Sequence, residues 1–293
     1  LDNSATTRCS KAAADMVYKL LTEDYGNPSS LHMKGVEAEN YINDAKKKIA
    51  KTLRVQDKEI LFTSGGTESN NTAIIGAAMA NKRAGRHIIT SSVEHASVLS
   101  VMQFLEEQGF EITYLPVNHD GVISVEELKN AVREDTILVS LMHVNNEIGA
   151  VMPIEEAGAA IKEKNPAALF HVDAIQSYGK LEIRPKRMNI DMLSVSGHKI
   201  HGPKGSGFLY IKDKTKIKPI IYVGGQQKGM RSGTENVPAY AGLGVAAEEI
   251  YTDFDKKIAH MYELRDHFIE SVQRIDGVSV NGRTDHTNAP HVV

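Results

Sequence analysis

The stretch Asp191-Met192-Leu193-Ser194-Val195-Ser196, followed at once by Gly197-His198-Lys199-Ile200-His201-Gly202-Pro203-Lys204-Gly205, decides how the chain folds. Its first half is a short apolar run bounded by Asp and Ser, the pattern of a buried strand. Its second half turns and carries a lysine. In an open parallel sheet, ligands collect beyond the carboxyl ends of the strands. A lysine placed there can form an imine with an aldehyde cofactor, and its surroundings can depress its pKa. A plain surface turn uses the same residue types, and on this stretch alone the turn is the better reading. Similar apolar runs occur at 59–63, 87–91, 111–117, 136–143, 169–173 and 207–211, and helix-like stretches at 67–84, 96–108, 125–133 and 154–164 separate several of them. Strands alternating with helices imply an α/β fold with a mainly parallel sheet of about seven strands flanked by helices.

After Ser232 the pattern changes to two long helical stretches, 237–253 and 255–275, and then one strand-like run, 278–281. We expect a large domain over 9–254, with 1–8 and 255–293 belonging to a small α/β domain that is incomplete, because a lone strand leaves its backbone groups without partners. Leu1 in place of Met, and an ending at Val293 where a new strand begins, lead us to expect further residues beyond both ends.

Three other strand ends carry matching signals. In His171-Val172-Asp173-Ala174-Ile175-Gln176, Asp173 suits the acidic partner that pyridoxal 5'-phosphate (PLP) needs at its pyridine nitrogen. Gln176 follows three residues later and could reach the ring's phenolic oxygen. A turn cap would also use Asp173. In Phe62-Thr63-Ser64-Gly65-Gly66-Thr67-Glu68-Ser69-Asn70-Asn71, two glycines lead into a helix whose N-terminal amides can bind a phosphate against Gly66 and Thr67. An ordinary helix cap is the competing reading. In Val93-Glu94-His95, a flat imidazole can stack on a ring and move protons near neutral pH; only the other motifs raise it above a plain histidine. Val144-Asn145-Asn146-Glu147 adds amides at the same sheet edge, and Arg231-Ser232-Gly233-Thr234-Glu235-Asn236 adds a hydroxyl beside glycine.

Taken in order, these segments resemble the NifS/IscS cysteine desulfurases of the class V aminotransferase family, which are fold-type I PLP enzymes. The resemblance opens at Leu1-Asp2-Asn3-Ser4-Ala5-Thr6-Thr7, passes through Tyr25-Gly26-Asn27-Pro28-Ser29-Ser30-Leu31-His32, and runs to Val293. Gly202-Pro203-Lys204-Gly205 is similar to the NifS/IscS branch rather than the SufS-like one. The resemblance implies that Lys199 holds PLP as a Schiff base and later moves protons. His95 would stack on the ring and aid acid–base steps, and Asp173 would pair with the pyridine nitrogen. Gln176 and Asn146 would contact the phenolic oxygen, with Asn146 also holding substrate carboxylate. Gly66, Thr67, Ser196, Gly197 and His198 would surround the phosphate. Thr234 matches a residue that reaches the neighbouring subunit's phosphate, which implies a homodimer.

The implied activity converts L-cysteine to L-alanine and passes sulfur through an enzyme persulfide to an acceptor such as an iron–sulfur scaffold or a thio-cofactor pathway. The family's nucleophilic cysteine lies on a mobile C-terminal loop, and Cys9 does not match it; the substrate-binding arginine also lies beyond Val293. A selenocysteine lyase, an aminotransferase of the same fold, or a non-catalytic PLP-binding partner in a sulfur-transfer assembly are the alternatives.

Composition narrows the classes further. In 293 residues, 34 basic and 37 acidic side chains give a formal net charge of -3, so no strong field invites nucleic acid or an anionic membrane. No apolar run approaches the ~18 residues of a membrane span. The single cysteine excludes an intrachain disulfide and fits a reducing cytoplasm. No metal site is expected, because one cysteine and scattered histidines lack ligand spacing. A dinucleotide fingerprint fails, since Gly202–Gly207 precedes a strand rather than a helix. Lys46-Lys47-Lys48 reads as the solvated face of a helix.

Overall fold

The structure, a computed structural model, describes residues 2–293; Leu1, which opens the first motif, lies outside the described residues. The apolar runs assemble into one sheet of seven strands: β1 (Ile60–Thr63), β2 (His87–Ser91), β3 (Glu111–Leu115), β4 (Thr136–Met142), β5 (Leu169–Asp173), β6 (Met192–Ser196) and β7 (Gly207–Ile211). Their order is β1-β7-β6-β5-β4-β2-β3. The five strands from β6 to β3 run parallel, whereas β7 is antiparallel to both β6 and β1. Successive side chains of a strand point to opposite faces. Phe62, Ile89 and Val139 therefore enter one core, and Leu61, Ile88 and Leu138 the other. Both faces are covered, as a parallel sheet requires.

The helices are α1 (Lys11–Thr22), α2 (Met33–Leu53), α3 (Gly66–Asn81), α4 (Ala96–Glu107), α5 (Val125–Ala131), α6 (Ile154–Lys164), α7 (Val237–Tyr251) and α8 (Phe254–Val272). Helices α3 and α4 cover one face; α1, α2 and α7 pack together on the other. The bounds of α6 agree with the sequence reading. Its first turn holds Glu155 and Glu156 and its last holds Lys162 and Lys164, which complements the helix dipole. Helix α5 stops earlier than the expected 125–133 because Val132 is extended. Helix α3 ends at Asn81, whose side-chain amide donates to the carbonyls of Ala77 and Lys216. The sequence reading did not specify α1, although its signal is present: the Ser10 side chain accepts from the Ala13 amide and caps an alanine-rich run.

One expected element is absent. Residues 278–281 form no strand. The chain beyond α8 is organised instead by Arg265, whose guanidinium is buried and donates to the carbonyls of Thr284, Asp285, Asn288 and Ala289. Its five-donor fork thus satisfies the carbonyls of an irregular segment that no ladder pairs.

The outer edge of β1 is also closed by a side chain. Gln227, at φ 46°, accepts from the Phe62 amide and donates to the Phe62 carbonyl, both at 2.7 Å.

Candidate active site

The parallel topology brings the carboxyl ends of β2, β4, β5 and β6 to one edge of the sheet, and with them the turns that carry the candidate residues. The start of α3, directly after β1, faces the same place. There a cavity of about 440 Å³ is lined by Gly66, Thr67, His95, Asn146, Asp173, Gln176, Ser196, His198 and Lys199. Eleven residues were expected to bind the cofactor, and these nine meet here. Gly197 does not line the cavity. It is a packing glycine, since a Cβ there would stand 2.4 Å from Ser206 Oγ. Thr234 is exposed and also lies outside this cavity.

The local backbone explains the turn after β1. Gly65 has φ 151°, a conformation L side chains rarely adopt, and it offers no side chain to cap α3. A Cβ on Gly66 would meet Ile175 Cδ1 at 2.2 Å, so glycine lets α3 begin against Ile175, just past the end of β5, without displacing that side chain. The N-terminal amides of a 16-residue helix are therefore left for an anion.

Lys199 sits in a single 3-10 turn after β6. Its ammonium donates to the carbonyls of Ser4 and Ala5. Burial lowers its pKa, against the opposing pull of Asp2 and Asp173. Asp173 is 5% exposed. Burial raises its pKa, while the Ile175 amide and Asn70 pull it back. Gln176 donates to Ser4 O at 2.9 Å and meets His291 Nε2 at 3.2 Å. Asn146 donates to Glu147 at 2.7 Å. Cys9 is half-buried and lies outside the cavity; burial pushes its thiol pKa up.

A primary amine of lowered proton affinity, a buried carboxylate and an uncapped helix N-terminus thus surround one cavity. That donor set suits an aldehyde-bearing heteroaromatic ring with a phosphate arm. The aminotransferase class-V family profile matches residues 1–293. This chain belongs to the class-V aminotransferase family. The family is PLP-dependent, and the cavity fits that cofactor. The cysteine desulfurase IscS of Methanosarcina thermophila is 47% identical over 292 residues, a match covering 100% of this chain and 72% of that one. A solved NifS-like protein shares the fold at a TM-score of 0.96 and 39% identity, covering 99% of this chain and 79% of the other. A solved structure described as SspA in complex with cysteine gives a TM-score of 0.80 at 42% identity, covering 89% and 77%.

Sequence reasoning missed three side chains around this site. Asn70 and Ser97 touch Asp173 and His95. Glu94 is 5% exposed and accepts from Ser91 Oγ at 2.5 Å and from the Met142 amide at 2.9 Å. Burial pushes its pKa up to about 8. A raised carboxyl pKa means that the folded protein holds a proton the unfolded chain has released. Stability carried by that proton is present at low pH and is lost as pH rises from the ordinary carboxyl range to about 8. The slope is about 1.4 kcal/mol per pH unit for one proton. Glu94→Gln removes this contribution, so the unfolding free energy from urea titrations should decline less between pH 5 and pH 8 than in the wild type, by up to about 1.4 kcal/mol for each pH unit. Parallel declines would show that Glu94 is ionised in the folded state.

Proposed function

We propose that the protein is a PLP-dependent cysteine desulfurase that converts L-cysteine to L-alanine and delivers the sulfur to an acceptor thiol. The observation that carries this reading is the meeting of Lys199, Asp173 and His95 at one cavity, in a chain 47% identical to a cysteine desulfurase. Bound PLP supplies an electron sink for bond changes at the Cα of cysteine. Lys199 provides the amine for covalent attachment and afterwards takes and returns protons, a task its lowered pKa favours. Asp173 holds the pyridine nitrogen with its carboxylate. His95 presents a flat imidazole to the ring. Gln176 and Asn146 offer amide donors to the phenolic oxygen, and Asn146 also to the substrate carboxylate. The first amides of α3 at Gly66 and Thr67, with Ser196 and His198, bind the phosphate.

The transfer balances without an outside oxidant: cysteine and a thiol become alanine and a persulfide, and the thiol's hydrogen replaces sulfur on carbon. Cys9 is set back from the cavity, and we propose that it is not this thiol. The sulfur then passes to an acceptor protein such as an iron–sulfur scaffold.

The protein is further proposed to work as a homodimer. Tyr25, Leu31, Met33, Val36, Tyr222 and Val223 are exposed apolar side chains, of the kind a second copy would cover. Thr234 is exposed, free to reach that copy's phosphate.

The native full-length protein, incubated with PLP, L-cysteine and a reducing thiol, should release alanine and sulfide in equal amounts, with Cys9→Ala unchanged. Sedimentation at the assay concentration should give a dimer mass. Keto acid in place of alanine would favour an aminotransferase, and loss of turnover in Cys9→Ala would overturn the thiol assignment.

A further inference from the structure

Four side chains from three segments, α3, the start of α4 and the end of β5, meet at the wall of the cavity. Asn70, inside α3, donates through Nδ2 to Asp173 Oδ2 at 2.8 Å and to Ser97 Oγ at 2.9 Å. Ser97, in the first turn of α4, lies 2.9 Å from His95 Nδ1 through its hydroxyl, and its backbone amide donates to the same nitrogen at 3.1 Å. Asn70, Ser97 and Asp173 are all buried.

The donors in this chain are fixed by elimination. An ionised carboxylate only accepts, so Asn70 must turn its NH2 group toward Asp173. Both amide hydrogens are then used, one on Asp173 and one on Ser97. The Ser97 hydroxyl, having accepted, donates onward to His95 Nδ1. That nitrogen accepts from the Ser97 backbone as well, so it carries no hydrogen, and the hydrogen of the neutral ring sits on Nε2. Asn70 Oδ1 is buried and has no partner among the described residues. The amide keeps this orientation despite one unmatched acceptor, because the flipped form would set oxygen against carboxylate.

We propose that Asn70 and Ser97 are positioning residues that join Asp173 to His95 in one hydrogen-bonded relay. The relay holds the Asp173 carboxylate ionised and oriented for the pyridine nitrogen, and it fixes His95 as the tautomer with its hydrogen on Nε2. The inference rests on the desulfurase reading for its catalytic consequence, but the tautomer is a property of the protein alone. The other charged or titratable groups facing Asp173 are Glu94, in the same turn as His95, and Lys199, after β6.

The test uses the full-length protein with Asn70→Leu, Ser97→Ala and Ser97→Thr. Nitrogen-15 histidine spectra of the cofactor-free wild type should show His95 Nδ1 as a bare acceptor and Nε2 as an N–H. In the PLP-loaded enzyme, Asn70→Leu should lower kcat per bound cofactor about 10–100-fold with little change in KM. It should also move the acid limb of the kcat profile upward by about one pH unit, because losing an N–H donor makes Asp173 easier to protonate. Ser97→Ala should lower kcat about 10-fold, and Ser97→Thr, which keeps the hydroxyl, should restore it. A wild-type His95 with its hydrogen on Nδ1 overturns the relay. So does an Asn70→Leu enzyme that loses only thermal stability or cofactor content while its kcat and acid limb stay put. If Asn70→Leu fails to fold, the two Ser97 variants decide on the same readouts. A wild-type protein that makes no alanine would sink the desulfurase reading and leave the tautomer result standing.

Discussion

Lys199→Ala should abolish covalent retention of PLP and lower the turnover of L-cysteine by at least about a thousandfold, since one substitution removes both the attachment point and the proton carrier. The amine stands at the end of β6, within the cavity that also holds Asp173. Lys180 is nearby and buried, with its amine donating to the Lys199 carbonyl at 2.8 Å and its pKa pushed down to about 7. It lies outside the cavity lining and cannot take over the role. Borohydride treatment followed by peptide mass mapping checks the assignment: wild-type label should sit on the peptide containing Lys199, and the variant should carry none. Label appearing on Lys180 or any other lysine would disprove it.

Asp173→Ala should lower kcat about 100–1000-fold while the protein still binds the cofactor through its phosphate. The carboxylate is buried between the Ile175 amide and Asn70. No other acidic group lines the cavity at that depth: Glu94 is turned to Ser91 and Met142, and Asp2 and Glu147 are exposed. Removing Asp173 therefore leaves the pyridine nitrogen without an anionic partner. Equilibrium dialysis measures retained cofactor, and steady-state alanine production measures the loss. Near-normal kcat in this variant would mean that ring protonation is supplied from elsewhere.

Much of this was legible because the signals are local. β2, β5 and β7 are apolar runs with sharp polar or glycine boundaries, and their limits agree with the sequence reading. The turn chemistry of Gly65-Gly66-Thr67 and Gly197-His198-Lys199 also lies within a few consecutive residues. Asn70 and Ser97 were not legible, since an asparagine inside a helix and a serine in a first turn are ordinary by sequence. Their meaning comes from contacts with residues 103 and 27 positions away. Glu94 was read only as the neighbour of His95, because nothing in the sequence shows that it is buried. The strand expected at 278–281 failed for the opposite reason. The local pattern was present, but among the described residues no other strand lies beside this stretch to pair with it.

The amide of Gln227 bears on how this chain avoids associating wrongly. β1 lies at the border of the sheet, where free N–H and C=O groups would accept any extended segment in a crowded solution. By filling the rung at Phe62 from both sides, Gln227 acts as a one-residue strand and denies that template to other chains. Its left-handed backbone, shared with Lys228, keeps this stopper from extending into a further strand that could itself be paired. Cross-β pairing through the Phe62 rung is thereby closed off.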